Sequence, residues 1–119
     1  MRFGLFGGAK SEGTGESADS VGYRQFIDYV LYAEELGYHG LFMVEHHFTG
    51  IGQVSASLNL LSYLAGRTSR MRLGTAVVVV PWHNPILLAE QVATLDLVSD
   101  GRFDFGVGKG YREGEFKGF

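Results

Sequence analysis

Four short apolar runs recur along the chain, beginning near residues 2, 40, 72 and 102, and a stretch of helical periodicity separates each run from the next. The spacing, about 30 residues, is that of βαβ units. An order β-α-β-α-β-α-β implies a parallel sheet with right-handed crossovers. Two architectures satisfy it: an open doubly wound sheet, or the first half of a (β/α)8 barrel with four parallel strands and three covering helices. Both place ligand sites at the C-terminal ends of the strands.

The elements follow from local chemistry. Residues 2–6 read as a first strand. The Gly-, Ser- and Glu-rich residues 7–20 read as a loop long enough to be functional. Phe26, Ile27, Val30, Leu31 and Ala33 recur at helical spacing over 23–36, with Asp19 or Ser20 as the expected cap and Gly37 at the C-terminal stop. Residues 40–46 are apolar almost throughout, as in a strand buried on both faces. Leu58, Leu61, Leu64 and Ala65 mark a second helix over 55–65. Four consecutive valines, Val77 to Val80, argue for a strand over 71–80. Asn84-Pro85 is a strong helix start, and Leu88, Gln91, Val92, Leu95 and Val98 continue that helix to Asp100-Gly101. Residues 102–108 form the fourth strand.

The totals exclude several function classes. A hydrophobic fraction of 45% against 19% charged is a globular balance, and 119 residues suffice for one domain with a core. A net charge of −3 without a basic cluster gives no reason to expect nucleic-acid binding. No apolar run is long enough to span a bilayer, so no membrane partner is expected. The absence of cysteine removes disulfides, thiolate metal sites and cysteine nucleophiles, and suits a reducing cytosol; a cytoplasmic location is the expectation.

Polar groups gather where the strands end: Gly7, Gly8 and Lys10; Glu45, His46, His47 and Thr49; Trp82, His83 and Asn84; Lys109, Tyr111 and Arg112. Neighbouring strand residues face opposite sides, so His46 and His47 cannot easily share a metal ion, and no metal is expected. No Gly-x-Ser-x-Gly elbow or Gly-x-Gly-x-x-Gly fingerprint occurs. For the two histidines this leaves acid–base work, hydrogen bonding to a ligand, or a structural role. Lys109, between Gly108 and Gly110, is either a ligand contact or an ordinary strand exit.

In register, Val44-Glu45-His46-His47-Phe48-Thr49, Gly74-Thr75-Ala76-Val77-Val78-Val79-Val80-Pro81, His83-Asn84-Pro85 and the run from Ser99 to Gly110 resemble the bacterial luciferase-like flavin monooxygenases. The resemblance covers residues 1–119 and implies the barrel. It implies an oxidoreductase in which reduced FMN reacts with dioxygen and a small organic substrate; some relatives use a deazaflavin and move only hydride. On matching positions, His46 would be the catalytic histidine beside the flavin, with Glu45 and His47 supporting it. Ala76 and Val77 would lie behind the isoalloxazine ring, where this family often bends or isomerises the backbone. Lys109 would reach the flavin phosphate.

The family's barrels run to about 250 residues or more. The 119 residues are therefore expected to be the N-terminal half of a barrel domain, inactive or weakly flavin-binding alone. They are expected to form a homo-oligomer or to pair with a missing barrel half, because exposed strand edges recruit partners. A non-catalytic fragment acting in assembly or flavin binding, and a deazaflavin-dependent oxidoreductase, are the alternatives.

Overall fold

The computed structural model of the chain describes residues 1–11, 18–49 and 54–119. Their elements, in order, are β1 (Gly4–Gly7), α1 (Ala18–Glu35), β2 (Gly40–Met43), α2 (Ser57–Ala65), β3 (Arg72–Thr75), β4 (Val78–Val79), a 3-10 turn (Val80–Trp82), α3 (Pro85–Val98), β5 (Phe103–Asp104), β6 (Val107–Gly108) and α4 (Glu113–Gly118). The expected α/β alternation is present. β1, β2, β3 and β5 form one parallel sheet in that order.

The register aligns Leu5, Leu41, Leu73 and Phe103 in one row. Leu41 and Leu73 are fully buried, with Val30 and Ala33 of α1, Leu58, Leu61 and Leu64 of α2, and Leu88 and Leu95 of α3 in the same core. Each such leucine contributes roughly 1.5–3 kcal/mol by leaving water. The adjacent row is Phe6, Phe42, Gly74 and Asp104. Alternation turns it to the opposite face. There Phe6 is 73% and Phe42 38% exposed. Phe42 lies across Gly74, where a Cβ would meet its ring at 2.7 Å.

Two helix ends are fixed by side chains, one by its own cap and one by a residue distant in the chain. Asn84 Oδ1 accepts from the N–H groups of Ile86 and Leu87, the expected cap of α3. At the C-terminal end of α2, the Arg102 guanidinium donates to the carbonyls of Ala65 and Met71 and to Thr68 Oγ1. The cation that satisfies this end comes from the fourth strand's start.

Three expectations need correction. α1 begins at Ala18, ahead of both candidate caps, so Asp19 and Ser20 lie inside it. Residues 12–17 of the expected long loop lie outside the described residues. The third and fourth strands are each split in two, with β4 and β6 pairing as a separate parallel ribbon. The cause is a backbone crossing between Thr75 and Gly106. Thr75 Oγ1 donates to the Gly106 carbonyl at 2.8 Å and accepts from its N–H at 3.0 Å, and the Val78 N–H also reaches that carbonyl. A Cβ on residue 106 would collide with the Thr75 carbonyl oxygen, so only glycine permits the approach. A fourth helix, α4, follows where three were expected.

Candidate active site

Strands β2, β3 and β6 deliver functional residues just past their C-terminal ends. Val44 to Thr49 follow β2, Ala76 and Val77 follow β3, and Lys109 to Tyr111 follow β6. One cavity of about 390 Å³ opens there. Glu45, His46, Ala76, Val77 and Lys109 all line it, together with Phe6, Trp82, Gly108 and Tyr111. The Ala76–Val77 peptide bond is cis. Gly7, Gly8 and Lys10, the group expected from the first strand, do not line it; Phe6 does.

Glu45 is 3% exposed and fully engaged. Its Oε2 accepts from the Val79 N–H at 2.7 Å. Its Oε1 lies 2.9 Å from His47 Nε2 and 2.7 Å from His83 Nε2. A carboxylate only accepts, so both rings present Nε2–H to it. Glu45 thereby ties the end of β2 to β4 and to the segment before α3. His47 stands behind the cavity wall rather than in it, with its ring edge-on to Trp82 at 5.1 Å.

His46 is held by a different carboxylate. Glu115 Oε1 lies 3.2 Å from His46 Nδ1 and accepts from the His47 backbone N–H at 3.0 Å. Glu115 is 3% exposed and itself lines the cavity. With Nδ1–H directed at Glu115, the His46 ring carries its lone pair on Nε2, which has no partner among the described residues. The side chain of His46 stays 25% exposed.

Glu115 is absent from the sequence reading. It sits on a six-residue helix whose run Glu113-Gly114-Glu115-Phe116-Lys117-Gly118 looks like a solvated turn. The available signal was aromatic. Phe119 stacks on Trp82 with ring centroids 5.4 Å apart and a 13° tilt, and Phe116 meets Trp82 edge-on at 5.5 Å. Phe119 also contacts the rings of His47 and Phe48. These contacts pin α4 over the strand ends and carry Glu115 inward. His83, set down among strand-end residues, proves to be the second histidine on Glu45.

The arrangement offers a ring nitrogen free to take or give a proton, backed by a buried carboxylate, on the wall of a mainly apolar cavity. Ala76, Val77, Val79 and Gly108 supply an apolar wall, and a Cβ on residue 108 would intrude on Val77 at 2.5 Å. Lys109 supplies a cation beside that wall. The Trp82 indole N–H is buried with no acceptor among the described residues.

The luciferase-like monooxygenase family model matches residues 1–119. Over all 119 residues the chain is 37% identical to the protein y4vJ of Sinorhizobium fredii, of which it covers 34%. It superposes on monooxygenase RslO1 from Streptomyces bottropensis with a TM-score of 0.89 and 33% identity, over 99% of this chain and 36% of that one. It shares the fold of the oxygenating constituent of 3,6-diketocamphane monooxygenase from Pseudomonas putida, a type II Baeyer–Villiger enzyme in complex with FMN. There the TM-score is 0.88 at 19% identity, over 98% of this chain and 32% of that one. The chain thus spans about a third of the length of the relatives it matches. Its four parallel strands and helices are a fragment of the family's (β/α)8 barrel. The chain belongs to the luciferase-like monooxygenase family.

Proposed function

We propose that these 119 residues are the N-terminal half of the barrel domain of a flavin-dependent monooxygenase, contributing its acid–base histidine and one wall of its flavin site. One observation carries the reading: Glu45, His46, Ala76, Val77 and Lys109, from three separate strand ends, line a single cavity. When bound, reduced FMN would supply the reaction with dioxygen that delivers an oxygen atom to a small organic substrate. The residues fit such a group. The apolar wall of Ala76, Val77 and Gly108 suits an aromatic ring system, and the cavity volume is on the scale of a ligand site. Lys109 would hold the anionic phosphate.

His46 would move the proton. Its Nε2 lone pair accepts one while Glu115, at Nδ1, stabilises the imidazolium that results. Glu45 holds His47 and the Val79 backbone, which keeps the cavity wall in place. The aromatic group of Trp82, Phe116 and Phe119 would exclude water from that side. The outer row of Phe6 and Phe42 would be covered by further barrel or by a second copy of the chain.

Titration of the protein with FMN, followed by flavin fluorescence, tests the cofactor assignment. The expected result is saturable quenching that Gly108→Val abolishes by filling the wall. A titration that never departs from the buffer control would sink the flavin reading. Tighter binding of a deazaflavin than of FMN would replace it with a hydride-transferring oxidoreductase.

A further inference from the structure

α4 covers the strand ends without being built into them. Glu115 is its one buried residue, while Phe116 and the adjoining Phe119 stay exposed. The N–H groups of Glu115 and Phe116 turn back to the Arg112 carbonyl. Its hold on the site rests on side chains: Glu115 on His46 Nδ1 and the His47 N–H, and the rings of Phe116 and Phe119 on Trp82. A segment held by so little buried apolar surface opens at far lower cost than the core. The approach to α4 runs through Gly110, which holds φ at +72°, in the left-handed region that glycine adopts freely. Trp82 supplies an independent observation. Its indole N–H is buried with no acceptor among the described residues, in the ring that Phe116 and Phe119 pack against. An orphaned donor favours any state in which water reaches it.

We propose that α4 is a lid over the cavity at the strand ends, hinged at Gly110, and that Glu115 is a positioning residue which reaches His46 only when the lid is shut. The inference rests on the reading of His46 as the acid–base group. With the lid closed, Glu115 accepts from His46 Nδ1–H and leaves the Nε2 lone pair for the cavity. With it open, His46 loses that partner and water reaches the Trp82 N–H. Closure therefore covers the cavity and sets the proton acceptor in one movement. The Glu115 contacts and the aromatic stack favour the closed state, and the orphaned indole N–H favours the open one, so both are populated.

Trp82 is the single tryptophan of the chain, so its indole N–H signal and its fluorescence report the lid directly. In the unliganded protein, NMR relaxation dispersion should give the Trp82 indole N–H, the Glu115 amide and the His46 ring one shared exchange rate on the microsecond-to-millisecond scale. Two variants shift the balance. Phe119→Ala removes the ring stacked on Trp82. Gly110→Ala sets a Cβ 2.7 Å from Val79 and 3.0 Å from the Phe116 ring when the lid is shut. Losing one aromatic pair shifts an equilibrium about 2- to 10-fold. Both variants should move His46 from Nδ1–H toward the mixture of a free imidazole, read by nitrogen-15 ring shifts. Gly110→Ala should also raise acrylamide quenching of Trp82. A fixed α4 would not show the Phe119→Ala effect, because the ring contacts of Phe119 are with Trp82, His47 and Phe48. None of these readouts uses flavin, so a failed FMN titration and a failed lid are separate results. Unrelated exchange rates at the three groups, an unchanged His46 tautomer in either variant, or unchanged quenching in Gly110→Ala overturns the lid.

Discussion

Glu115 Oε1 lies 3.2 Å from His46 Nδ1, although 69 residues separate the two in the chain. The contact selects one histidine tautomer. A carboxylate that also accepts from the His47 N–H has no proton to offer, so His46 must donate from Nδ1. Nitrogen-15 ring shifts should therefore report Nδ1–H for His46 and Nε2–H for both His47 and His83. Glu115→Ala should return His46 toward the mixture of a free imidazole without altering the other two rings. An Nε2–H His46 in the unmodified protein would defeat the assignment of its lone pair to the cavity side.

Glu45 has a structural role that can be separated from any chemistry. Glu45→Ala would leave the Val79 N–H buried without an acceptor and release two histidines. One orphaned buried donor costs about 1–3 kcal/mol, and the loss of the ring contacts brings the expected destabilisation to about 3 kcal/mol. Glu45→Gln keeps one acceptor oxygen but cannot accept at both positions, so it should lie between the two. Chemical denaturation measures both. A change in Glu45→Ala below about 0.5 kcal/mol would show that the hub is dispensable.

The parts of the fold written in local periodicity were legible. The parallel order, the Asn84-Pro85 start of α3 and the gathering of residues 45, 46 and 109 at strand ends all follow from strand polarity and spacing, whereas residues 76 and 77 enter only through the family resemblance. The breaks in the third and fourth strands were not. Val77 to Val80 has the composition of an unbroken strand, and the interruption comes from the Thr75–Gly106 crossing, a contact between distant residues. Glu115 was hidden for a related reason. Its burial depends on Phe116 and Phe119 finding Trp82, which nothing within the short segment around residue 115 encodes.

Two carboxylates predict the acid limb of the stability profile. Partial burial pushes the Glu34 carboxyl up, but the N–H groups of Met71, Arg70 and Ser69 more than offset this and hold it below its ordinary value. Hydrogen bonding to the Arg72 guanidinium, at 2.6 and 2.7 Å, lowers Asp104. A depressed carboxyl stabilises the fold above its unfolded pKa and loses that contribution as pH falls through the folded value. The melting temperature should thus be flat above about pH 5 and decline below about pH 4. Glu34→Gln should flatten that decline. The Asp104 side chain is 38% exposed, so its share should shrink in high salt. An acid limb unchanged in Glu34→Gln would remove Glu34 from the account.

The outer row of the sheet predicts association. Phe6 and Phe42 face away from the helices, and β1 and β5 are the edges of the four-stranded sheet among the described residues. Apolar faces beside unpaired edges recruit other chains. Light scattering on the 119-residue protein should show species larger than a monomer, with strong binding of an apolar dye, and Phe6→Lys should reduce both. A monodisperse monomer with little dye binding would contradict the prediction.

Lys109 separates phosphate recognition from ring recognition. Among the described residues it is the one lysine or arginine lining the cavity at the strand ends. The wall of Ala76, Val77 and Gly108 has no charge with which to distinguish FMN from riboflavin. A hydrogen bond to a charged group is worth about 1.5 kcal/mol or more, so Lys109→Ala should weaken FMN binding about 10-fold. Riboflavin binding should change little. Because a single cation is a thin phosphate site, FMN binding by these residues alone is expected to be weak, with a Kd above about 10 μM. Equal losses for FMN and riboflavin in Lys109→Ala would assign the lysine to the wall itself. Unchanged FMN affinity would remove it from the cofactor site.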